Sequence, residues 1–288
     1  MEREEAWRLK SRAIWLECDD ENTKFFHAYS RGRKAANTIW CLKDEVGQEH
    51  FDFEGKARCG VNHFEALFWE PEQASIAEVI RVTQMFPRYA EEEDNRRMMR
   101  PVTEEELKVV LGSFQKDKSP GPDGWSIELF LALYEVLGLD LLQVVEDTRI
   151  SGRLPASFNS TFIALIPKKD NPVSLSDFRP ISLCNCIYKI VSKVIARRIK
   201  AILSENISAE QFGFLEGRQI HEAIGVAQEG MHSLKSRNIK GAILKIDLSK
   251  AYDKVSWIYL RLLLTHLGFG INFIRWIMSC ILLSPSLC

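Results

Sequence analysis

Apolar residues recur at intervals of three and four along several stretches of the chain, and this spacing predicts amphipathic helices. The clearest early case covers residues 55–69, where Val61, Phe64 and Leu67 would share one helix face. Two short runs that mix apolar and polar residues flank Gly47, and they predict a β-hairpin that turns near this glycine. Residues 6–30 carry spaced aromatic and aliphatic residues and predict a first helix.

The same patterns predict most of the elements downstream. Thr103, followed three residues later by Glu106, has the form of a capping box and predicts a helix start. A β-branched run at residues 242–247 predicts a buried strand that ends on a carboxylate, Asp247. The remaining patterns predict strands at residues 162–169 and 177–183, and helices at residues 104–114, 126–137, 138–150, 186–204, 256–267 and 272–280.

Composition and cysteine usage narrow the class of protein. The 288 residues are 46% hydrophobic and 27% charged, as is usual for soluble globular proteins. Charge-rich sequence meets Pro101, so we expect one domain at residues 1–100 and a second at 101–288. The seven cysteines are scattered without a Cys-x-x-Cys pair, which argues against a zinc site and predicts a reducing, intracellular setting without disulfides. The longest apolar run, residues 276–283, is too short to span a bilayer, so no membrane role is expected.

Charge is unevenly distributed although the formal net charge is only −1. Between Arg153 and Lys240 the chain has 13 Lys and Arg residues against 7 Asp and Glu residues. Within the predicted helix at 186–204, four cations share one stripe: Lys189, Lys193, Arg197 and Lys200. This stripe would either hold nucleic-acid phosphates or form an ordinary solvated helix face, and the sequence leaves both open.

Asp247 is the most informative candidate for chemistry. A lone aspartate at the junction of a strand and a helix is most often an N-cap. Here, however, it stands within residues 242–257, which read AILKIDLSKAYDKVSW. A carboxylate at the end of a buried strand is also where a palm-type polymerase holds its catalytic metal ion.

Four segments together resemble a known family. The segment around Asp247 resembles motif A of reverse transcriptases, and closely that of LINE-type non-LTR retrotransposons. Residues 118–124, which read KSPGPDG, resemble the block that opens the reverse transcriptase domain in these elements. Residues 211–220, which read QFGFLEGRQI, resemble the block between fingers and palm. Residues 15–27, which read WLECDDENTKFFH, resemble a segment that precedes the polymerase in plant elements.

The resemblance implies an α+β fold: a partial right-hand polymerase, with fingers and an incomplete palm, after a mostly helical N-terminal extension with a hairpin. It implies RNA-directed DNA synthesis by nucleotidyl transfer, with an RNA template, a DNA primer and deoxynucleoside triphosphates (dNTPs) as partners. Two Mg²⁺ or Mn²⁺ ions are the expected cofactors. Of the intracellular compartments, the nucleus and the cytoplasm both remain open.

The resemblance also assigns roles to individual residues. Asp247 would be the catalytic carboxylate that binds metal, and the Leu248 backbone carbonyl would lie beside it as a second ligand. Tyr252 would exclude a ribose 2′-hydroxyl, although an aromatic residue facing the core is the plainer alternative. Lys168 or Lys169, together with Arg179, would grip the triphosphate, and Arg218 would either contact the template or brace the palm.

A second carboxylate pair is expected well after motif A in this family. No Asp or Glu follows Asp253 in the sequence, and the only adjacent pair, Asp19 and Asp20, lies far upstream. Because one aspartate cannot hold two metal ions, we expect a truncated reverse transcriptase that is inactive alone. The alternatives are a non-catalytic nucleic-acid-binding remnant and an inert remnant that folds poorly.

Overall fold

The computed structural model of the chain describes residues 31–32, 34, 37–68, 75–215, 217–248 and 255–282. Helices dominate, and the strands are few and short. The strands are β1 (Leu42–Lys43), β2 (Glu49–His50), β3 (Thr161–Pro167) and β4 (Phe178–Cys184). The helices are α1 (Phe53–Phe68), α2 (Ile76–Thr83), α3 (Glu92–Met98), α4 (Glu104–Gly112), α5 (Ile127–Ala132), α6 (Tyr134–Ser151), α7 (Cys186–Asn206), α8 (Ile220–Ser236), α9 (Trp257–His266) and α10 (Ile271–Ile281), with 3-10 turns at Ala156–Asn159 and Leu175–Asp177.

The chain divides into two units. The first contains the described part of Met1–Pro71 together with Gln115–Ser119 and Thr161–Leu183, and the second contains the remainder. The predicted helix at 6–30 and the segment at 15–27 lie outside the described residues. The boundary expected near residue 100 stays a prediction.

In the first unit, a hairpin and a helix surround a small apolar core. Leu42 pairs with His50 and Lys43 with Glu49 in antiparallel register, and Gly47 turns the hairpin at a φ of +85°. A positive φ is costly for residues with a Cβ, which explains why a glycine occupies this position. The predicted turn near Gly47 is therefore confirmed. The core joins strand, helix and loop residues that are distant in the chain: Leu42, Cys59, Leu175 and Phe178.

The second unit is built around α7 and α10. Helix α7 buries a face of isoleucine and valine residues, including Ile190, Val191 and Val194. Helix α10 buries Phe273 and Trp276, and the Trp276 indole nitrogen donates to the Thr148 hydroxyl of α6 at 3.1 Å. Because a buried indole N–H needs an acceptor, this bond lets a large ring occupy the core without an unsatisfied donor.

The glycine- and proline-rich block at residues 118–124 is hydrogen-bonded to the start of α7. Asp123 accepts a hydrogen bond from the Cys186 backbone N–H at 3.3 Å, at the first turn of α7. The Asp123 N–H in turn donates a hydrogen bond to the side-chain oxygen of Asn185, the residue before α7, at 3.0 Å. A carboxylate at this position satisfies a free helix N–H and complements the helix dipole. The block therefore caps the basic helix.

The segment before Asp247 corrects an expectation. Residues 240–248 have no regular secondary structure, and Leu248 is 73% exposed, whereas the sequence predicts a buried strand here. The described strands pair only as β1 with β2 and β3 with β4. A strand needs a neighbour to satisfy its backbone N–H and C=O groups, so the β-branched run alone does not make one.

Gly121→Ala tests the docking of the 118–124 block on α7. A Cβ at Gly121 would lie 2.5 Å from the backbone of Cys184 and Asn185, so backbone must shift. We expect a loss of about 1–3 kcal/mol in the free energy of unfolding, measured by urea denaturation. Gly112→Ala is the matched control, because a Cβ there meets nothing within 4 Å and should be neutral or stabilise by up to about 1 kcal/mol. Equal unfolding midpoints for the two variants would contradict the close approach.

Candidate nucleotide and nucleic-acid sites

Lys168 and Lys169 follow β3 and face the turn that precedes β4. The Lys168 N–H donates to the Asp177 carbonyl at 2.8 Å, which holds the two strands together at this end. The Lys168 ammonium donates to the Ser176 carbonyl at 2.9 Å, whereas the Lys169 ammonium pairs with the Asp177 carboxylate at 2.9 Å. The two lysines therefore differ: a carboxylate neutralises Lys169, while Lys168 contacts a neutral carbonyl.

Asp177 is strongly held as an anion. The hydrogen bond from Lys169 and those from the Ser174 and Val173 N–H groups lower its carboxyl pKa to about 2. Such bonds favour the charged form because they are made to the ionised oxygens. Asp177 thus fixes the loop before β4 and keeps Lys169 engaged within the protein.

Arg179 begins the exposed part of β4, next to the buried Phe178. Among the described residues its guanidinium has no ion-pair or hydrogen-bond partner. The Lys168 N–H bonds to the carbonyl of Asp177, which precedes Arg179 by two residues in the chain. A guanidinium at the start of β4 and an ammonium just after β3 are the kinds of group that recognise phosphate oxygens.

A cavity of about 710 Å³ adjoins the two lysines. Trp40, which is 72% exposed, lines it together with Thr38 and the loop from Lys168 to Val173. An aromatic face beside cationic groups offers both a stacking surface for a base and contacts for its phosphates.

Asp247 and Leu248 lie in the exposed, irregular segment described above, and Tyr252 lies outside the described residues. Within the ranges that the structure describes, no group of three His, Cys, Asp or Glu side chains could hold a metal ion. The described residues therefore do not form a two-metal site by themselves, and the metal-binding role of Asp247 and Leu248 stays a prediction.

The four cations of the predicted basic stripe lie on α7, but they differ in their exposure to solvent and in their contacts within the protein. The Lys193 ammonium donates to the Ser113 carbonyl at 2.8 Å and lies 3.9 Å from the centre of the Phe114 ring. Burial, and then the charge of Arg197, lower the pKa of Lys193. Arg197 is exposed, while Lys189 and Lys200 are half-buried. Lys193 thus serves packing, and the nucleic-acid role of the stripe stays a prediction.

Arg218 braces the chain that follows α7. Its guanidinium donates to the backbone carbonyls of Ser204, Ile207, Ser208 and Gln211. This geometry favours bracing, one of the two roles that the sequence left open, because four of its five N–H donors already bind backbone carbonyls.

Sequence reasoning missed Arg198, whose guanidinium is fully hydrogen-bonded in the second unit. Its five N–H groups donate to both Glu106 carboxylate oxygens and to the carbonyls of Met98, Arg100 and Pro101. The side chains of Arg198 and Glu106 are only 4% and 10% exposed. A signal was present in the sequence, since residue 198 falls in helical register with the buried Val191, Val194 and Ile202.

Glu106 also corrects the predicted capping box. The Thr103 hydroxyl does accept from the Glu106 N–H at 3.2 Å. The Glu106 carboxylate, however, pairs with Arg198 instead of returning to the Thr103 N–H. The carboxylate pairs with the buried guanidinium because an unpaired buried charge costs more free energy than an exposed N–H group at a helix terminus, which water can satisfy.

Comparison with known proteins identifies the relatives of this chain. A model of the reverse transcriptase (RNA-dependent DNA polymerase) family matches residues 166–286. An uncharacterised 149 kDa protein of transposon TX1 from Xenopus laevis is 30% identical over 270 residues, which is 93% of this chain and 20% of that protein. The RNA-directed DNA polymerase from mobile element jockey of Drosophila funebris is 25% identical over 231 residues, 75% of this chain and 23% of that protein. The probable RNA-directed DNA polymerase from transposon BS of Drosophila melanogaster is 25% identical over 211 residues, 70% of this chain and 22% of that protein.

The chain contains reverse transcriptase sequence of the LINE type. It spans about a fifth of the length of these relatives. The matched residues 166–286 contain every residue to which the resemblance assigns a role, from Lys168 to Tyr252. The family identification from sequence is therefore confirmed, while the likeness to plant elements stays a prediction. Across the part of the chain that the structure describes, no helix has both the length and the apolar content needed to cross a membrane.

Arg198→Leu tests the buried ion pair. Removing the guanidinium leaves the Glu106 carboxylate buried without its partner, so we expect a loss of about 3–5 kcal/mol in the free energy of unfolding. Arg197→Leu is the control. Arg197 is the exposed neighbour of Arg198, so its replacement should change the free energy of unfolding by less than about 0.5 kcal/mol. Urea denaturation followed by circular dichroism measures both. Similar losses for the two variants would refute the assignment of Arg198 as the buried partner.

Proposed function

We propose that this chain takes part in RNA-directed DNA synthesis as the nucleotide- and template-binding part of a LINE-type reverse transcriptase. The match of residues 166–286 to the reverse transcriptase family carries the proposal. In this assignment β3 and β4 belong to the fingers, and the segment that contains Asp247 belongs to the palm. We place its action inside the cell, in the nucleus or the cytoplasm.

The triphosphate of an incoming dNTP is assigned to Lys168 and Arg179. Lys168 is preferred over Lys169, because Asp177 already neutralises Lys169. Arg179 supplies a planar fork that can grip two phosphate oxygens at once. Tyr252 is assigned to sugar selection.

The template strand is assigned to the exposed and half-buried cations of α7: Lys189, Arg197 and Lys200. Lys193 supports them by packing against Phe114, and Arg218 braces the chain after α7. Each phosphate contact adds to an affinity that falls with salt, since binding releases counterions.

Asp247, with the Leu248 carbonyl, is assigned one ligand position for a Mg²⁺ or Mn²⁺ ion. Nucleotidyl transfer needs two such ions, which activate the primer hydroxyl and neutralise the triphosphate. No Asp or Glu follows Asp253 in this sequence to supply the second carboxylate pair. We therefore propose that these 288 residues bind substrates but do not polymerise alone.

Lys168→Gln/Arg179→Gln tests the triphosphate site. Each lost charge-assisted hydrogen bond costs about 1.5–3 kcal/mol, so the double variant should bind a fluorescent dNTP at least about tenfold more weakly. Fluorescence anisotropy in the presence of Mg²⁺ measures the affinity. Arg58→Gln, which removes an exposed cation from α1 of the same unit, is the control and should bind as the parent does. A double variant that matches this control rejects the site.

Primer extension on a poly(rA) template with Mg²⁺ or Mn²⁺ tests the proposed lack of activity. We expect no template-dependent product from the 288-residue chain, because a single aspartate cannot position two metal ions. A product that disappears in Asp247→Asn would overturn this view. Nucleic-acid binding without dNTP binding would favour the alternative, a non-catalytic remnant.

A further inference from the structure

Three arginines converge on one cavity of the second unit. The cavity has a volume of about 340 Å³ and lies where the end of α6 meets α9 and α10. Arg153 follows α6, Arg261 lies on α9 and Arg275 lies on α10, and all three are exposed and line the cavity. Arg153 is more than a hundred residues from Arg261 and Arg275 in the sequence, so no local motif predicts the cluster.

A glycine turn allows two of these arginines to approach. Helix α6 ends at Gly152, whose φ of +63° is left-handed and turns the chain toward the cavity at Arg153. The Arg275 side chain lies across Gly152, where a Cβ would stand 2.9 Å from the Arg275 Cδ atom. The cluster is thus built into the junction of α6 with α10.

The positive charge of the cavity is not balanced by acidic side chains among the described residues that line it. In the part of the chain that the structure describes, its lining contains three arginines and no Asp or Glu. Among the described residues, none of the three guanidiniums has an ion pair or hydrogen bond. By contrast, Arg149 and Arg198 of the same unit each hold a carboxylate. Because like charges repel, a cluster of this kind is best satisfied by an anion from outside the protein.

The cavity also offers an apolar surface. Ile271, Ile274 and Met278 line it from one face of α10. Its volume lies at the lower end of the range of about 300–1,000 Å³ that is usual for small-ligand sites. An apolar floor with a guanidinium rim suits a nucleotide, whose base packs on the floor while its phosphates bind the rim.

We propose that Arg153, Arg261 and Arg275 form a binding site for one nucleotide of a single-stranded nucleic acid, with the flanking phosphates held by the three guanidiniums. The proposal rests on the proposed function, which supplies a single strand as the template. It adds a contact region on α6, α9 and α10 that is separate from the cations of α7.

The test compares two triple variants of the full chain that remove the same charge from the same unit. The first is Arg153→Gln/Arg261→Gln/Arg275→Gln. The control is Arg81→Gln/Arg237→Gln/Lys240→Gln, whose three exposed cations lie away from the cavity lining. The probe is a short fluorescein-labelled oligo(rA), read by anisotropy from about 50 to about 200 mM salt.

We expect the cavity variant to bind at least about tenfold more weakly, with a salt slope lower by about 1.4, since each of the two flanking phosphates of a single-stranded nucleotide contributes about 0.7. The control should keep the parent slope. Urea denaturation checks that both variants unfold at the parent midpoint. If the glutamine variant does not fold, Arg153→Lys/Arg261→Lys/Arg275→Lys keeps the charge and should still weaken binding, because it removes the planar forks.

The outcomes separate this site from the proposed function. A cavity variant that binds like the control, while Lys168→Gln/Arg179→Gln still loses dNTP affinity, rejects the arginine site alone. A parent chain that binds neither RNA nor the matching DNA strand rejects both the site and the template role. Similar losses on RNA and DNA support a site that reads phosphate and base, whereas loss on RNA only supports one that also reads the sugar. Displacement of the strand by inorganic phosphate at equal concentration would mean that the site takes free phosphate, and would overturn the assignment to a strand.

Discussion

The second unit depends on the burial of one guanidinium. Arg198 lies on the core face of α7, where an unpaired charge would cost several kcal/mol. Each of its five N–H groups has an acceptor: two are the oxygens of Glu106 on α4, and three are carbonyls of residues 98–101. Its guanidinium carbon also lies 5.8 Å from the centre of the Trp276 ring on α10. One side chain thereby fixes the chain before α4, the basic helix and the C-terminal core together.

This arrangement determines how α7 presents its other cations. Because Arg198 and the isoleucine and valine face point inward, Arg197 must point outward, one residue away on the helix. The helix begins at the carboxylate of Asp123, within the block that resembles the opening of reverse transcriptase domains. That block therefore contributes to the proposed template surface by holding the helix that carries it.

Much of the local structure could be predicted from the sequence. The hairpin at Gly47 and the helices around Ile190 and Phe273 follow from turn chemistry or helical spacing. So does the interval between the predicted helices at 256–267 and 272–280, where Gly268 has a φ of +97°. The predicted strand before Asp247 was wrong, since a β-branched run needs a pairing partner that spacing cannot supply. The capping box was half right, because Thr103 caps its helix while a distant arginine takes the Glu106 carboxylate.

The sequence by itself determined the family, the candidate residues and the positions of most helices, because motifs and periodicity are properties of neighbouring residues. Only the tertiary structure decided what each charge does. It separated Lys168 from Lys169 through Asp177, buried Arg198 beside exposed Arg197, and brought Arg153, Arg261 and Arg275 to one cavity. Such differences arise from contacts between residues far apart in the chain, and the energy of a charge depends on those contacts more than on its place in the sequence.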